Sequence, residues 1–381
     1  MDYPVYLDYN ATTPVDPQVL DTMLPYFTTH FGNAASRTHV YGLKAEDAVE
    51  AAREQVAELI GAMPKEIVFT SGATESINLA IKGFYEAAQH RGNHLITVVT
   101  EHKAVLDTCH HLEQLGAEVT YLLPDGDGLI SRDQLEAAIK PTTILISVML
   151  ANNEIGVIQP IQELAALAQE RGIAFHTDAT QAIGKLPVNL RKLPVDLLSL
   201  SGHKLYGPKG VGALYIRKNI PLTAQQDGGR HERNRRSGTL NVPGIVGLGK
   251  AAALCDDLMT DEAQRLAGLR DQLETGILQQ VPDTHVNGSR TQRLANTTNI
   301  SFAGVDGEVL LMSLNRIAVS NGSACNSAST EPSYVLKALH LSDDLAYSSV
   351  RFSLGRFTTE ADITPAIQHV TEVVARLRQE Q

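Results

Sequence analysis

Lys204 stands in the stretch "SGHKLYGPKG", next to His203 and shortly after Ser201. An amine in such a turn can form a Schiff base with a carbonyl group. Three other short stretches carry groups that would complement it. Asp178 and then Gln181 follow "IAFHT", Glu101 and His102 follow "LITVVT", and Ser71, Gly72, Ala73 and Thr74 follow "EIVFT". The carboxylate can pair with a protonated ring nitrogen, and the imidazole can stack on a flat ring and move protons. Small residues and a hydroxyl at a helix start offer an anion free N–H groups and the positive end of the dipole. Each group alone has an ordinary explanation. Ser71 or Thr74 could be a helix cap, Asp178 and Lys204 an ion pair, and His102 a satisfied loop histidine. One further reactive group, Cys325, lies in "SNGSACNSASTEP", a run of small residues with no apolar period.

These groups need elements to hold them. Helix and strand patterns alternate over about two thirds of the chain. The stretch "AEDAVEAAREQVAELIG" puts Val49, Ala52, Val56 and Leu59 on one helical face, with Gly61 placed to end it. "EIVFT", "LITVVT", "EVTYLL", "TILISVML", "IAFHTD", "DLLSLS" and "GALYI" read as strands, with helices between most of them. Apolar rather than alternating strands predict a mainly parallel sheet covered by helices on both faces. Ligands of such sheets bind beyond the carboxyl ends of the strands. The lysine, carboxylate, imidazole and anion seat all fall at strand ends. Together they predict pyridoxal phosphate, held by the lysine and kept protonated at its ring nitrogen by the carboxylate.

After residue 258 the pattern changes. A helix is predicted over 261–281, strands in "TTNISFAG", "IAVSNG" and "SVRFSLG", and a last helix in "DITPAIQHVTEVVARLRQ". The extended N-terminal segment joins this unit. The reading is a large domain over 14–258 and a smaller α+β domain of 1–13 and 259–381 that carries Cys325.

The chain has 381 residues, 43% of them hydrophobic, which suits two domains rather than one. With 32 Lys plus Arg and 43 Asp plus Glu, the formal charge is -11, so nothing favours nucleic acid as a partner. The basic cluster "RHERNRR", Arg230 to Arg236, reads equally as a solvated loop or an anion site. Three cysteines without a framework fit a reducing, cytoplasmic setting. No secretory signal is evident. The apolar run "ILISVMLA" is far short of the roughly 20 residues that span a bilayer. "GPKGVG" precedes a strand instead of opening a helix, so it is not a dinucleotide loop. Cys109 and Cys255 fall in helical patterns as small core residues. His110 and His111 are adjacent on a helix and diverge, which argues against a metal site.

The stretches "YLDYNATTPVDP", "FTSGATESINLAIKG", "TEHKAVLDTC", "NNEIGVIQPI", "HTDATQAIGK", "SGHKLYGPKGVGALYIRK", "RRSGTLNVPGIVG", "GSACNSASTEPSYVLKAL" and "SSVRFSLGRFT" resemble the NifS/IscS-like group I cysteine desulfurases. These belong to the class V aminotransferase family of fold-type I pyridoxal-phosphate enzymes. The resemblance implies an α/β fold with a mainly parallel seven-stranded sheet, a homodimer, and pyridoxal 5'-phosphate bound through Lys204. It implies that Ala73, Thr74, Ser201 and His203 surround the phosphate, with Thr239 reaching in from a neighbouring subunit. Asp178 would pair with the ring nitrogen, Gln181 with the ring hydroxyl, and His102 would stack on the ring as an acid or base. Asn153 and Arg351 would hold the carboxylate of the substrate, L-cysteine. Cys325 would take the sulfur as a persulfide, leave alanine as product, and pass the sulfur to an acceptor protein. A thiol of pKa about 8.5 needs help to ionise, and His102 is the candidate base.

Two departures stand out. Relatives carry "GGGxERG" where this chain has "GGRHERN", which places Arg230 and Asn234 near the subunit boundary. The chain ends at "RLRQEQ", without the tail by which housekeeping members dock their scaffold protein. The acceptor is then expected in iron–sulfur assembly, tRNA thiolation or DNA phosphorothioation. The alternatives are a selenocysteine lyase, another aminotransferase-type reaction on the same cofactor, or a non-enzymatic adaptor. Transamination has no use for Cys325, and an adaptor none for Lys204, Asp178 and His102.

Overall fold

A computed structural model of the protein describes residues 4–321 and 332–380. The strands are β1 (Val5–Tyr6), β2 (Ile67–Thr70), β3 (His94–Val98), β4 (Glu118–Leu122), β5 (Thr143–Ser147) and β6 (Ala174–Asp178). They continue with β7 (Leu197–Ser201), β8 (Gly212–Ile216), β9 (Thr284–Val286), β10 (Thr297–Phe302), β11 (Ile317–Ala318) and β12 (Ser349–Ser353). Seven of them form one sheet in the order β2-β8-β7-β6-β5-β3-β4. Only β8 runs antiparallel to its neighbours.

The apolar runs have a simple cause. Neighbouring residues on a strand point to opposite faces, and both faces are covered. Ile96, Ile146, Phe175, Leu198 and Tyr215 join one buried cluster, with helices Val40–Leu59, Ile161–Glu170 and Val242–Gln280. Leu95, Leu145, Ala174, Leu197 and Leu214 join another, with helices Ala73–Ala88 and Lys103–Gln114. A strand wet on one side would need to alternate; these strands do not.

A second, three-stranded sheet has the order β12-β10-β9 and is antiparallel. Ile300, Phe302, Val350 and Phe352 pack there against Leu273 and Ile277, against helix Glu360–Gln379, and against Leu7 from the N-terminal segment. That segment pairs β1 with β11 in parallel.

The helix expected over 261–281 is longer than its pattern suggested. It runs unbroken from Val242 to Gln280, 39 residues or about 58 Å at 1.5 Å per residue, and crosses position 258. Gly247 and Gly249 weaken the helical signal, yet both are contact points. A Cβ on Gly249 would lie 2.6 Å from the Ala52 Cα, and one on Gly247 would lie 2.5 Å from the Met23 sulfur. The helix thus shares one half with each core.

The basic cluster is organised by its one acid. Glu232 is buried and takes two 2.8 Å hydrogen bonds from Arg53 and one from the Phe69 N–H. Asn234 has a left-handed φ of 64°. Removing one partner of a buried pair strands the other charge. Glu232→Ala should therefore lower stability by about 3–5 kcal/mol, read as a drop in the urea midpoint at unchanged slope.

Candidate active site

A cavity of about 590 Å³ opens at the carboxyl ends of the parallel strands. Its lining brings together Ala73, Thr74, His102, Asn153, Asp178, Gln181, Ser201, His203, Lys204 and Arg351. Two expected residues are not in that group. Thr239 is exposed and outside the lining of this single chain. Cys325 lies outside the described residues.

The anion seat is built by glycine. Helix Ala73–Ala88 starts directly after β2 with Gly72 at its cap, at φ 152° and with no side-chain cap bond. Neither Ser71 nor Thr74 is the cap, so the helix's first N–H groups stay available. Gly212 lets the turn sit there, since a Cβ on it would lie 2.6 Å from the Gly72 Cα. This is the use of the "GPKGVG" stretch. Glu75 in the first turn would repel an anion, but it is bonded to Arg236 at 2.7 Å and to the Ser71 N–H at 2.7 Å. Burial works to raise the Glu75 carboxyl; these bonds outweigh it and hold it below the usual range.

Lys204 ends the short turn Gly202–Lys204 that follows β7. Its Nζ donates to the Ala11 carbonyl at 2.6 Å and to that of Asn10. His203 Nδ1 is 3.1 Å from the Thr12 hydroxyl. Burial, then Lys204, Lys209 and Lys185, push its imidazole down to about 4, so it is neutral at pH 7. His102 caps helix Lys103–Gln114, its Nδ1 accepting the Ala104 N–H at 3.1 Å.

Asp178 ends β6 and is buried. Its Oδ1 accepts the Thr180 N–H at 2.9 Å and hydroxyl at 2.5 Å. No arginine or lysine is bonded to it among the described residues. Gln181 donates from Nε2 to the Asn10 carbonyl at 2.9 Å and accepts from Lys185 at 2.9 Å.

Arg351 arrives from β12, in the smaller sheet, and is 2% exposed. Its Nη2 donates to Asp8 at 2.6 Å and its Nη1 to the Asn153 carbonyl at 2.9 Å. Its Nε, and the Oδ1 of Asn153, are buried without a partner among the described residues. Two unmet polar atoms of opposite kind in one cavity wall suit a ligand with both donors and acceptors. With the uncapped helix start and the open Asp178, the donor set fits pyridoxal phosphate.

The described residues on either side of 322–331 bond to Arg351, which lines the cavity, or to residues next to its lining. Ser320 donates to Asp8 at 3.2 Å, and its carbonyl takes the Arg351 N–H at 2.7 Å. Ser333 donates to Glu154 at 2.5 Å, and the Tyr334 hydroxyl to the Glu101 carbonyl at 2.7 Å.

Sequence reasoning gave no role to Asp8, Asn10, Thr12 or Lys185. The signal was present in "YLDYNATTP", where an acid and an amide stand among residues that otherwise read as a short strand.

The Aminotransferase class-V family profile matches residues 5–365. The chain is similar to "Cysteine desulfurase IscS" of Anaeromyxobacter dehalogenans (strain 2CP-C), with 57% identity covering 100% of this chain and 94% of that one. Among solved structures it is similar to a "NIFS-LIKE PROTEIN" with a TM-score of 0.92 and 37% identity, over 98% of this chain and 100% of that one. It is also similar to "SspA in complex with cysteine", with a TM-score of 0.83 and 42% identity, over 93% and 100%. This chain belongs to the class-V aminotransferase family, among its IscS/NifS-like cysteine desulfurases.

Proposed function

We propose that the protein converts L-cysteine to L-alanine and hands on the sulfur, with pyridoxal 5'-phosphate as cofactor. The carrying observation is the convergence of Lys204, Asp178, His102 and Arg351 on one cavity at the strand ends. When bound, the cofactor supplies an electron sink for charge developing at the substrate α-carbon.

The chain's own groups then have distinct tasks. Lys204 Nζ would hold the cofactor and would carry protons at the substrate α-carbon. Asp178 would pair with the ring nitrogen, and Gln181 with the ring hydroxyl. Thr74, Ser201, His203 and the N–H groups following Gly72 and Ala73 receive the phosphate. Arg351 and Asn153 orient the substrate carboxylate. His102 would stack on the ring and move a proton through Nε2. Cys325 attacks the substrate sulfur as a thiolate. The S–S bond forms as the Cβ–S bond breaks, and the electron pair stays with carbon, which is protonated to give alanine. An acceptor thiol then takes the outer sulfur and regenerates Cys325.

The reading includes a division into domains of 14–258 and of 1–13 with 259–381, supported by the separate clusters on the long helix. It includes a homodimer. Leu20, Leu24, Phe27, Phe31, Val40, Tyr41 and Leu43 are large, apolar and exposed, and lie close in sequence. Apolar exposure of that extent fits a second copy, which would bring Thr239 of the partner subunit toward the phosphate. No described helix is long and apolar enough to cross a membrane.

Lys204→Ala should lose the covalently held chromophore, so that the protein purifies without its visible band; a yellow, active variant would remove the cofactor assignment. Cys325→Ala should keep the band and its response to cysteine but form neither sulfide nor alanine in turnover. Continued alanine production there would take Cys325 out of the mechanism. Arg351→Lys keeps the charge and loses the planar fork. Its kcat/KM should fall about 10–100-fold, roughly 1.4–2.7 kcal/mol, mostly through KM; unchanged KM would place the carboxylate elsewhere.

A further inference from the structure

Lys185 has no part in that mechanism, yet it braces the cavity wall from behind. Its Nζ donates to Gln181 Oε1 at 2.9 Å and to Asn10 Oδ1 at 3.3 Å. The surface it keeps opens on a small cavity that Lys204, Tyr206, Glu262 and Asn296 also line. Glu262 does not pair with it there, being bonded to Arg356. The other charges that bear on it are Lys204 after β7, Arg351 from β12 and Cys255 on the long helix. Burial first, then Lys204 and Arg351, push the amine down to about 7. A buried amine without a carboxylate is costly. A methionine would fill the same space without that cost.

What Lys185 does is visible in Gln181. The two ends of a glutamine amide have the same shape, and its neighbours decide which faces where. In either protonation state the Lys185 amine has hydrogens enough for the two oxygens beside it, Gln181 Oε1 and Asn10 Oδ1, so Oε1 faces it. The Asn10 carbonyl only accepts, so Nε2 faces that at 2.9 Å. Both contacts impose one orientation. They leave the second Nε2 hydrogen for the cavity, which Gln181 lines.

We propose that Lys185 is a positioning residue: it fixes the Gln181 amide so that an N–H, and not the carbonyl oxygen, meets the cofactor's ring hydroxyl. This rests on the cofactor reading above. A donor at that oxygen stabilises its deprotonated form, so Lys185 tunes the cofactor's proton affinity without touching it.

The test is a pH titration of the visible absorption of pyridoxal-phosphate-loaded wild type, Lys185→Met, Gln181→Ala and the double variant. Lys185→Met should raise the midpoint by about one pH unit. The double variant should titrate within a few tenths of Gln181→Ala, because one residue acts through the other. A Lys185→Met midpoint equal to wild type, or shifts that add fully in the double variant, would overturn the proposal. If Lys185→Met does not fold, Lys185→Gln keeps a shorter donor. Its midpoint should fall between wild type and Gln181→Ala, and a value outside that interval overturns the proposal equally. A wild-type protein with no visible band would instead sink the cofactor reading and leave the two failures distinct.

Discussion

Asn10 is the joint on which the site depends. It is 1% exposed, and every polar group it has is engaged. Its N–H donates to the Ser353 hydroxyl at 2.9 Å, and its Nδ2 to Thr297 at 2.9 Å and to the Asn153 carbonyl at 3.3 Å. Its Oδ1 accepts from Lys185 and Asn296, and its carbonyl from Gln181 and Lys204. Ser353 and Thr297 belong to the smaller sheet; Gln181 and Lys204 follow strands of the larger one. One residue thereby sets the distance between the lysine and the arginine. The residue type follows from the bonds. Aspartate could not donate to Thr297, and an apolar residue would leave several buried groups unpaired at about 1–3 kcal/mol each.

This explains why the two cores can be separate and the cavity still be defined. The long helix links them through packing, which tolerates small slides. Hydrogen bonds to Asn10 and the Asp8–Arg351 contact do not, since each fails within a few tenths of an ångström. Asp8 does on the Arg351 side what Asn10 does on the Lys204 side. It holds Arg351 and Ser320 on one oxygen, so the arginine and the start of the Cys325 segment are set together.

The parts of the fold that could be read from sequence are those with local causes. Apolar runs such as "LITVVT" and "DLLSLS" announced strands buried on two faces, and the residues just after them proved to line one cavity. What escaped has non-local causes. Asn10 meets Gln181 and Lys204 across 171 and 194 positions of sequence, and no periodicity encodes that. The long helix was shortened in the reading because glycine weakens the local signal, whereas Gly249 is there for the approach of Ala52. In "RHERNRR" the arginines drew attention, but the buried Glu232 organises the segment.

The electrostatics of the cavity follow from the same principle of pairing. Lys204, Lys209, Arg351 and a helix start face it, which suits a ligand bearing phosphate and carboxylate. The acids in its lining and just behind it are mostly paired or buried. Glu75 is spent on Arg236 and Asp8 on Arg351. Burial raises the carboxyl of Glu154, beside the Arg351 site, above its ordinary range. Glu101, next to His102, is pushed well above its ordinary range by burial and further by the charge of Asp178. Asp178 lines the cavity with no lysine or arginine bonded to it among the described residues. The charge that the cavity presents therefore depends on which carboxylates are bonded to cations as much as on which are present.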